Sequence, residues 1–323
     1  MKELSIESPK KKASLGKRFA DEIKRNYILY LLSIPIIIYF VVFAYLPMFG
    51  LLIAFKNYVP SLGIMGSEWA DMNGFAHFYN FITGEMFWPV VKNTLLLNFY
   101  TLIFEFPLPI IFALMLNEIK NMKYKKAIQT ITYLPHFISL VVICGMVKRF
   151  FSTEGILTSF IVFFGGEQKN YLIEPGWFRS IYIGSGIWQT IGWSSIIYIS
   201  ALSSIDQELY EAAVIDGAGK WKQVVHITIP GIASTIIILL IMRIGKMLSV
   251  GYEKIILLQT SRTKEVAQVI SSYVYDVTFG ADIQIANSQS ISSAVGIFQS
   301  IINIVLLFIA NTVSRKFSES SLF

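Results

Sequence analysis

The stretch that decides the architecture lies in the second half of the chain, between two long apolar segments. It reads Asp206-Gln-Glu-Leu-Tyr-Glu-Ala-Ala-Val-Ile-Asp-Gly-Ala-Gly-Lys-Trp-Lys-Gln-Val-Val-His-Ile-Thr-Ile-Pro230. Asp206 can cap a helix, and apolar or small residues recur at helical spacing as far as Gly217, a typical helix end. A second short helix leads to Pro230, where the next apolar segment begins. The pattern therefore predicts a compact helix–turn–helix connector.

Small and charged side chains distinguish this connector. Its small residues are Ala212, Ala213, Gly217 and Ala218. They permit another protein surface to approach closely, and Glu211 and Asp216 offer charges to a basic partner. We expect Gly217 to be required because a side chain there would obstruct the turn or the docking face. On pattern alone, an amphipathic connector and a docking surface both stay open.

The composition of the whole chain is that of a membrane protein. Of its 323 residues, 54% are hydrophobic and 15% are charged, and the mean hydropathy is +0.58. A typical soluble domain has about 25% charged residues. This hydrophobicity excludes disorder for most of the chain, since disorder requires low hydrophobicity and high net charge. Cys144 is the single cysteine, which excludes a disulfide-stapled secreted domain.

Six apolar stretches are long enough to cross a bilayer, which takes about 20 residues in a helix. They lie near residues 28–50, 94–117, 129–150, 180–203, 229–250 and 294–313. The first is too long for the apolar region of a signal peptide, and no Ala-x-Ala cleavage site follows it. We therefore predict an all-α integral membrane protein with six transmembrane helices.

The distribution of Lys and Arg predicts the orientation. Sixteen of the 27 basic residues fall in the two ends of the chain and in the short loops after spans two and four. Basic residues accumulate on the cytoplasmic side, so both termini and both loops are expected in the cytoplasm of a multi-pass cell-membrane protein. The predicted organisation is a basic tail at 1–26, a membrane domain at 27–314 with a cytoplasmic loop at 204–229, and a tail at 315–323. No nucleic-acid partner is expected, because Lys-rich ends normally flank membrane spans.

The residues offer little catalytic chemistry. The three histidines show no zinc-binding spacing, and no nucleophile elbow is present. Gly217-Ala-Gly219-Lys220 resembles part of a phosphate loop, but Val214 and Trp221 stand where that loop needs glycine and Ser or Thr. We therefore expect no enzyme activity, no metal and no cofactor on this chain.

Charged residues inside spans are functional candidates, because each costs about 2.5–3.5 kcal/mol at the bilayer centre. Glu105 lies near the middle of span two. It can line a substrate or gating path, or it can pair with a neighbouring helix. Arg243 and Lys246 are expected near the outer interface, where their aliphatic stems reach water.

The connector resembles the EAA motif of binding-protein-dependent ABC importer permeases. Glu-Ala-Ala at 211–213, Gly217 and Ile227-x-Ile229-Pro230 match the motif, with Ile229 in place of the usual leucine. In that family the loop is the coupling helix that docks into a groove of the ATPase subunit. The resemblance implies ATPase-coupling roles for Glu211, Ala212, Ala213, Asp216, Gly217, Ala218 and Pro230.

Further motifs resemble the group of these permeases that imports oligosaccharides derived from polysaccharides. They include Tyr45-Leu-Pro47, Tyr133-Leu-Pro-His136 and Ala294-Val-Gly-Ile-Phe298. The resemblance implies the type I importer fold and a transport subunit without an ATPase site, with ATP-Mg held by partner subunits. The implied partners are a second homologous permease, two cytoplasmic ATPases and an extracytoplasmic solute-binding protein.

Aromatic and amide side chains in the spans are candidates for the sugar path, because they stack on and hydrogen-bond to sugars. The candidate path residues are Glu105, Trp188, Gln189, Trp193, Gln299 and Asn303. Each can equally be a helix-packing residue. The alternative function is an ion-coupled secondary transporter, in which Glu105 would be the coupling group. A membrane enzyme is disfavoured by the lack of clustered His, Asp or Cys.

Overall fold

The structure is a computed structural model that describes residues 22–280 and 287–317. Residues 1–21 of the predicted N-terminal tail and residues 318–323 of the predicted C-terminal tail lie outside the described residues. The chain divides into two units, one ending at Leu52 and the other beginning at Ile53. Two short antiparallel strands, β1 (Lys56–Asn57) and β2 (Glu68–Trp69), belong to the second unit, which is otherwise helical.

The helices are numbered in chain order. They are α1 (Tyr27–Phe55), α2 (Gly63–Gly66), α3 (Ala76–Thr83), α4 (Phe87–Asn117), α5 (Met122–Tyr133), α6 (Leu140–Phe150), α7 (Ile156–Phe163), α8 (Pro175–Leu202), α9 (Gln207–Ile215), α10 (Lys220–Gly231), α11 (Ala233–Ile244), α12 (Tyr252–Leu258), α13 (Lys264–Ala267), α14 (Ile270–Phe279) and α15 (Ser288–Phe317). Short 3₁₀ turns occupy Met72–Gly74, Leu134–Phe137 and Tyr171–Ile173.

The apolar helices agree with the predicted spans in position. Among the described residues, α1, α4 and α15 are each long and apolar enough to cross a membrane, and two bent helix pairs bring the number to five. The fourth predicted span falls on α8, a helix of 28 residues that also contains Gly, Ser and Gln. Helices therefore occupy all six predicted positions.

The third and fifth predicted spans are not continuous helices, which corrects the sequence prediction. The chain bends by 101° between Phe137 and Leu140, where Ile138 is extended and Ser139 caps a new helix by accepting from the amide of Val142. A second bend of 60° separates α10 from α11, which ends at Ile244, before the predicted end at residue 250. An N-cap serine satisfies the free amides of a new helix, so it favours the break.

Proline residues explain the three widened π turns. These turns lie at Val41–Tyr45, Thr101–Glu105 and Val224–Thr228, and each ends two residues before a proline. A proline ring collides with the carbonyl four residues earlier, so a regular turn cannot form there. The residue before each proline instead bonds five residues back, as the amide of Phe106 does to the carbonyl of Thr101 at 3.1 Å. Glu105 is thereby placed at a π turn, a feature often found at functional sites.

Helix α8 is the centre of the second unit and packs against α4 and α5. In its first half, Phe178 and Ile181 belong to one buried apolar cluster. In its last turns, Tyr198 and Leu202 belong to a second cluster. At Gly192 the crossing with α5 is so close that a Cβ atom would collide with the carbonyl oxygen of Thr132. The position therefore requires glycine.

The segment between α1 and α4 forms a small folded element around Lys56. Its ammonium group donates to the carbonyls of Ile64 at 2.8 Å and of Ser67 at 3.0 Å, and it lies 5.2 Å from the centre of the Trp69 ring. His77 donates from Nε2 to the carbonyl of Lys56 at 3.2 Å. These contacts hold β1 and β2 against α3.

Candidate functional site

The predicted connector is a helix–turn–helix, as expected. Helix α9 begins after Asp206, whose carboxylate accepts from the amide of Glu208 at 3.0 Å. It ends in a Schellman motif, with the amide of Gly217 donating to the carbonyl of Val214 at 3.0 Å and that of Ala218 to the carbonyl of Ala213 at 2.8 Å. The turn thus satisfies the last carbonyls of the helix with its own backbone.

Gly217 is required by the backbone of this turn. Its φ is +73°, in the left-handed region that residues with a Cβ atom adopt at a cost of about 1–2 kcal/mol. A Cβ atom at this position would meet no other atom of the chain within 4 Å. A side chain would therefore disfavour the turn through the backbone conformation and not through a clash with a neighbouring atom, while obstruction of a docking face stays a prediction.

The outer face of the connector is exposed and carries large apolar side chains. Ile215 is 87% exposed, and Trp221 is 77% exposed. Glu211, Ala212, Asp216 and Pro230 are exposed as well, whereas Ala213 and Ala218 are half-buried. Sequence reasoning did not single out Ile215 and Trp221 as surface residues. A surface that exposes such side chains is typical of an interaction site.

Side-chain contacts bind the two halves of the connector together. The hydroxyls of Tyr210 and Thr228 lie 3.0 Å apart, within hydrogen-bond distance. The amide group of Gln223 donates to the carbonyl of Ala218 at 3.0 Å. The first contact spans the turn and the second joins α10 to the turn itself, so α9 and α10 form one unit that leads through the π turn and Pro230 into α11.

A salt bridge links the connector to the end of another span. The ammonium of Lys220 lies 3.1 Å from the carboxylate of Glu118, which directly follows α4. The two residues border a groove of about 480 Å³ that Tyr210 and Glu211 also line. Both charged side chains are exposed, so the pair contributes little stability and serves chiefly to orient the connector.

Glu105 lies at the centre of a second site, made of charges within the predicted spans. Oε2 of Glu105 is 3.9 Å from Nη2 of Arg243, and the Thr190 hydroxyl lies 3.3 Å from Oε1. The guanidinium of Arg243 thus faces the carboxylate of span two, and its expected place near the outer interface stays a prediction. The pairing that was left open for Glu105 is thus present.

Gly186 provides the space for this cluster on α8. A Cβ atom there would lie 3.2 Å from the ammonium of Lys254 and 3.5 Å from Glu105 Oε2. Lys254 is held by its bond to the carbonyl of Tyr182 at 2.8 Å and by the Tyr182 ring, whose centre lies 4.5 Å away. Two cations therefore flank a single carboxylate.

A cavity of about 470 Å³ opens beside the cluster, lined in part by Glu105, Trp193, Arg243 and Lys246. Trp193 is stacked on His136, with ring centres 4.5 Å apart and planes 2° from parallel. Two of the six candidate path residues, Glu105 and Trp193, thus meet at one cavity. The cavity has a flat aromatic wall and mixed charges, which suits a polar ligand with apolar ring faces.

Gln299 and Asn303 come together elsewhere. Their amide groups donate to the hydroxyl of Ser249 at 3.2 and 2.8 Å, and Asn303 Oδ1 accepts from the amide of Leu248 at 3.0 Å. These bonds tie the turn after α11 to α15, which is a packing role. Trp188 is 42% exposed and Gln189 is half-buried, and neither lines the cavity beside Glu105.

No group of three or more His, Cys, Asp or Glu side chains suited to a metal ion occurs in the part of the chain that the structure describes. The cluster at Glu105 is mainly cationic. Its chemistry is therefore charge recognition.

Comparison with known proteins gives closely related permeases. The chain is 42% identical over 320 residues to Protein LplB of Bacillus subtilis (strain 168), with 98% of each chain covered. It is 42% identical over 308 residues to the polygalacturonan/rhamnogalacturonan transport system permease protein YteP of the same organism, covering 95% of this chain and 94% of that one.

A solved structure agrees in fold as well as in sequence. A chain in the crystal structure of a bacterial alginate ABC transporter, in complex with a periplasmic protein bound to an alginate pentasaccharide, superposes with a TM-score of 0.84 at 40% identity. The match covers 94% of this chain and all of that one. The predicted type I importer permease fold is confirmed.

The family model for the inner membrane component of binding-protein-dependent transport systems matches residues 105–319, from Glu105 in span two to beyond the end of α15. This range contains the exposed connector and most of the charged cavity wall. The chain belongs to the family of inner membrane components of binding-protein-dependent transport systems.

Proposed function

We propose that this chain is a transmembrane permease subunit of an ATP-driven importer of oligosaccharides, with acidic sugars as the substrate class. The exposed EAA connector carries the proposal, because it presents a rigid docking surface between two spans of a chain related to sugar permeases. YteP is named for polygalacturonan/rhamnogalacturonan transport, and the solved neighbour belongs to an alginate transporter. Both names refer to acidic polysaccharides.

ATP hydrolysis takes place on partner subunits, since this family supplies the membrane component without an ATPase site. In the proposed assembly, this chain pairs with a second homologous permease, and two cytoplasmic ATPases hold ATP-Mg. A solute-binding protein delivers the sugar from outside. The connector and both termini then face the cytoplasm, and the predicted tails at 1–26 and 315–323 flank the membrane domain.

The connector geometry supports a coupling mechanism. Closure of the ATPases on ATP pushes the surface around Glu211 and Gly217. Because Tyr210 and Thr228 bind α9 to α10, the motion passes to Pro230 and α11 as one rigid movement. The Lys220–Glu118 contact transmits part of this movement to α4. The spans then switch between discrete outward- and inward-open packings.

An ATP-driven importer explains more features of the structure than an ion-coupled transporter does. An ion-coupled transporter would leave the exposed connector without a partner, whereas family membership gives it one. Glu105, the proposed coupling group of that alternative, is flanked by Arg243 and Lys254. It is better suited to sorting anionic sugars than to binding a cation.

Coupling is tested in the assembled transporter, reconstituted with its partners in liposomes. The Glu211→Ala/Gly217→Asp double variant should lose sugar-stimulated ATPase activity and sugar uptake together, although the membrane chain still folds. Glu208→Ala is the matched control, because it removes an exposed acid from the other end of α9. Normal uptake and ATPase activity in the double variant would contradict the coupling assignment.

A further inference from the structure

The cavity beside Glu105 carries an excess of positive charge. Its wall contains one carboxylate, Glu105, and two cations, Arg243 and Lys246. A third cation, Lys254, lies next to Gly186, as that carboxylate does. Charged groups at membrane depth are expensive and are kept for function, so a surplus of cations indicates an anionic ligand.

The Glu105–Arg243 pair is loose. Its shortest N···O distance is 3.9 Å, whereas charge-assisted hydrogen bonds between these groups measure about 2.7–2.9 Å. The side chains remain 41% and 24% exposed at Arg243 and Glu105, respectively. Arg243 therefore keeps N–H donors that Glu105 does not engage, and a guanidinium presents them in a fork that fits a carboxylate.

Trp193 gives the same cavity a surface for a sugar ring. The parallel stack on His136 and an edge contact with Phe137, whose ring centre lies 5.6 Å away, hold the indole, which is nevertheless 44% exposed. A fixed aromatic face loses little conformational freedom when an apolar sugar face lies on it. Arg243 and Lys246 lie three residues apart on the neighbouring wall, so a ring and its carboxylate can be held together.

We propose that this cavity is a binding subsite for one uronic acid unit of the transported sugar, an inference that rests on the proposed function. Arg243 binds the carboxylate through two N–H donors, Lys246 adds a second positive charge, and Trp193 carries the ring. In the cavity without sugar, the Glu105 carboxylate pairs with Arg243 and positions it. When the sugar binds, its carboxylate replaces Glu105 as the partner of Arg243. A neutral sugar offers Arg243 no replacement for Glu105, so the pair acts as a charge filter.

The test uses a charged sugar and its neutral derivative: trigalacturonate and its fully methyl-esterified form, in which each carboxylate becomes an uncharged methyl ester. Each is labelled, and its equilibrium binding to the purified assembled transporter is measured by dialysis without solute-binding protein. ATP-dependent uptake of each probe into liposomes is recorded separately with the binding protein present. The first measurement reports the subsite, and the second reports the importer.

The wild-type complex should bind trigalacturonate in preference to its ester. Arg243→Gln should weaken binding of the acid on the order of tenfold and leave the ester unaffected, because a bidentate charged contact is lost. Arg243→Lys should be intermediate, since it keeps the charge but not the fork. Glu105→Gln should strengthen binding of the acid by removing its competitor.

Arg149→Gln is the matched control, because it removes an exposed cation from the last turn of α6, away from the cavity. Binding of both sugars should be unchanged in it. Equal affinity of the wild type for acid and ester, or an equal loss of both in Arg243→Gln, would overturn the subsite, for example if the second permease fills the cavity. ATP-dependent uptake would still support the importer in that case. No uptake of either probe by the wild type would contradict the acidic-sugar function, whatever the binding measurement shows.

Discussion

The hydroxyls of Tyr210 and Thr228 lie 3.0 Å apart and join α9, the proposed coupling helix, to the turn that enters α11. The contact spans 18 residues of the chain and crosses the Schellman turn at Gly217. It turns two short helices, which would be marginal on their own, into one element that can transmit a push.

Tyr210→Phe should therefore uncouple hydrolysis from transport. The ring keeps its packing, but the hydroxyl bond, worth about 0.5–1.5 kcal/mol, is lost. We expect fewer sugars imported per ATP hydrolysed, while ATPase activity remains. The measurement is the ratio of uptake to phosphate release in the same liposomes. Tyr124→Phe, which changes an exposed tyrosine of α5, should leave the ratio unchanged.

Replacements at Gly217 should be ranked by backbone conformation and not by size. Asparagine tolerates the left-handed region better than alanine does, so Gly217→Asn should retain more coupling than Gly217→Ala. The check is sugar-stimulated ATPase activity of both variants in the reconstituted complex. The opposite order would show that a docking partner leaves no room for the larger side chain.

Gly192→Ala should destabilise the membrane domain by about 1–3 kcal/mol, the usual effect of overpacking. Its Cβ atom would collide with the backbone of Thr132, and backbone cannot move aside as a flexible side chain can. Gly184→Ala, on the same helix with no atom within 4 Å, is the control. Thermal unfolding in detergent should show a lower midpoint for the first variant only, and equal midpoints would refute the close crossing.

The folded element around Lys56 should loosen in acid. Burial lowers the pKa of His77 below its usual 6.5, because the charged imidazolium is poorly solvated there. The unfolded segment therefore binds a proton more readily than the folded one, and its stability is lost as the pH falls below about 6.5. After division by the intrinsic exchange rate at each pH, the hydrogen-exchange protection of residues 56–83 should be lower at pH 5 than at pH 7.5. A His77→Gln variant should lose most of this difference, and an unchanged difference would assign it to other groups.

The sequence predicts the local features of the connector well. The Asp206 cap and the Gly217 turn depend on neighbouring residues, so their patterns can be read directly. Span positions are likewise predicted by apolar length. Apolar length does not predict the bend at Ser139, because hydropathy averaged over the segment conceals a local break. Pro135 and the serine cap supply a local signal for it.

The charged cavity could be predicted only in part. Glu105 is conspicuous because a carboxylate inside an apolar span is rare. Its partner Arg243 is 138 positions away in sequence, and no local pattern relates the two residues. Asn303 shows the same dependence, since its amide bonds to Ser249, 54 positions away, and its place on a sugar path stays a prediction. Tertiary packing decides these roles.

The most direct test of the account is cross-linking from the proposed docking surface. The native thiol, Cys144, is buried, so an Ala212→Cys variant carries the one reactive thiol of the described residues on the exposed face of α9. A short thiol-to-amine cross-linker should join it to an ATPase subunit in the assembled transporter, with a yield that changes when ATP is added. Thr153→Cys, an exposed position in the turn after α6, should give no ATPase adduct. An ATPase adduct from Thr153→Cys, or none from Ala212→Cys in an active complex, would contradict the coupling surface and the orientation of the chain.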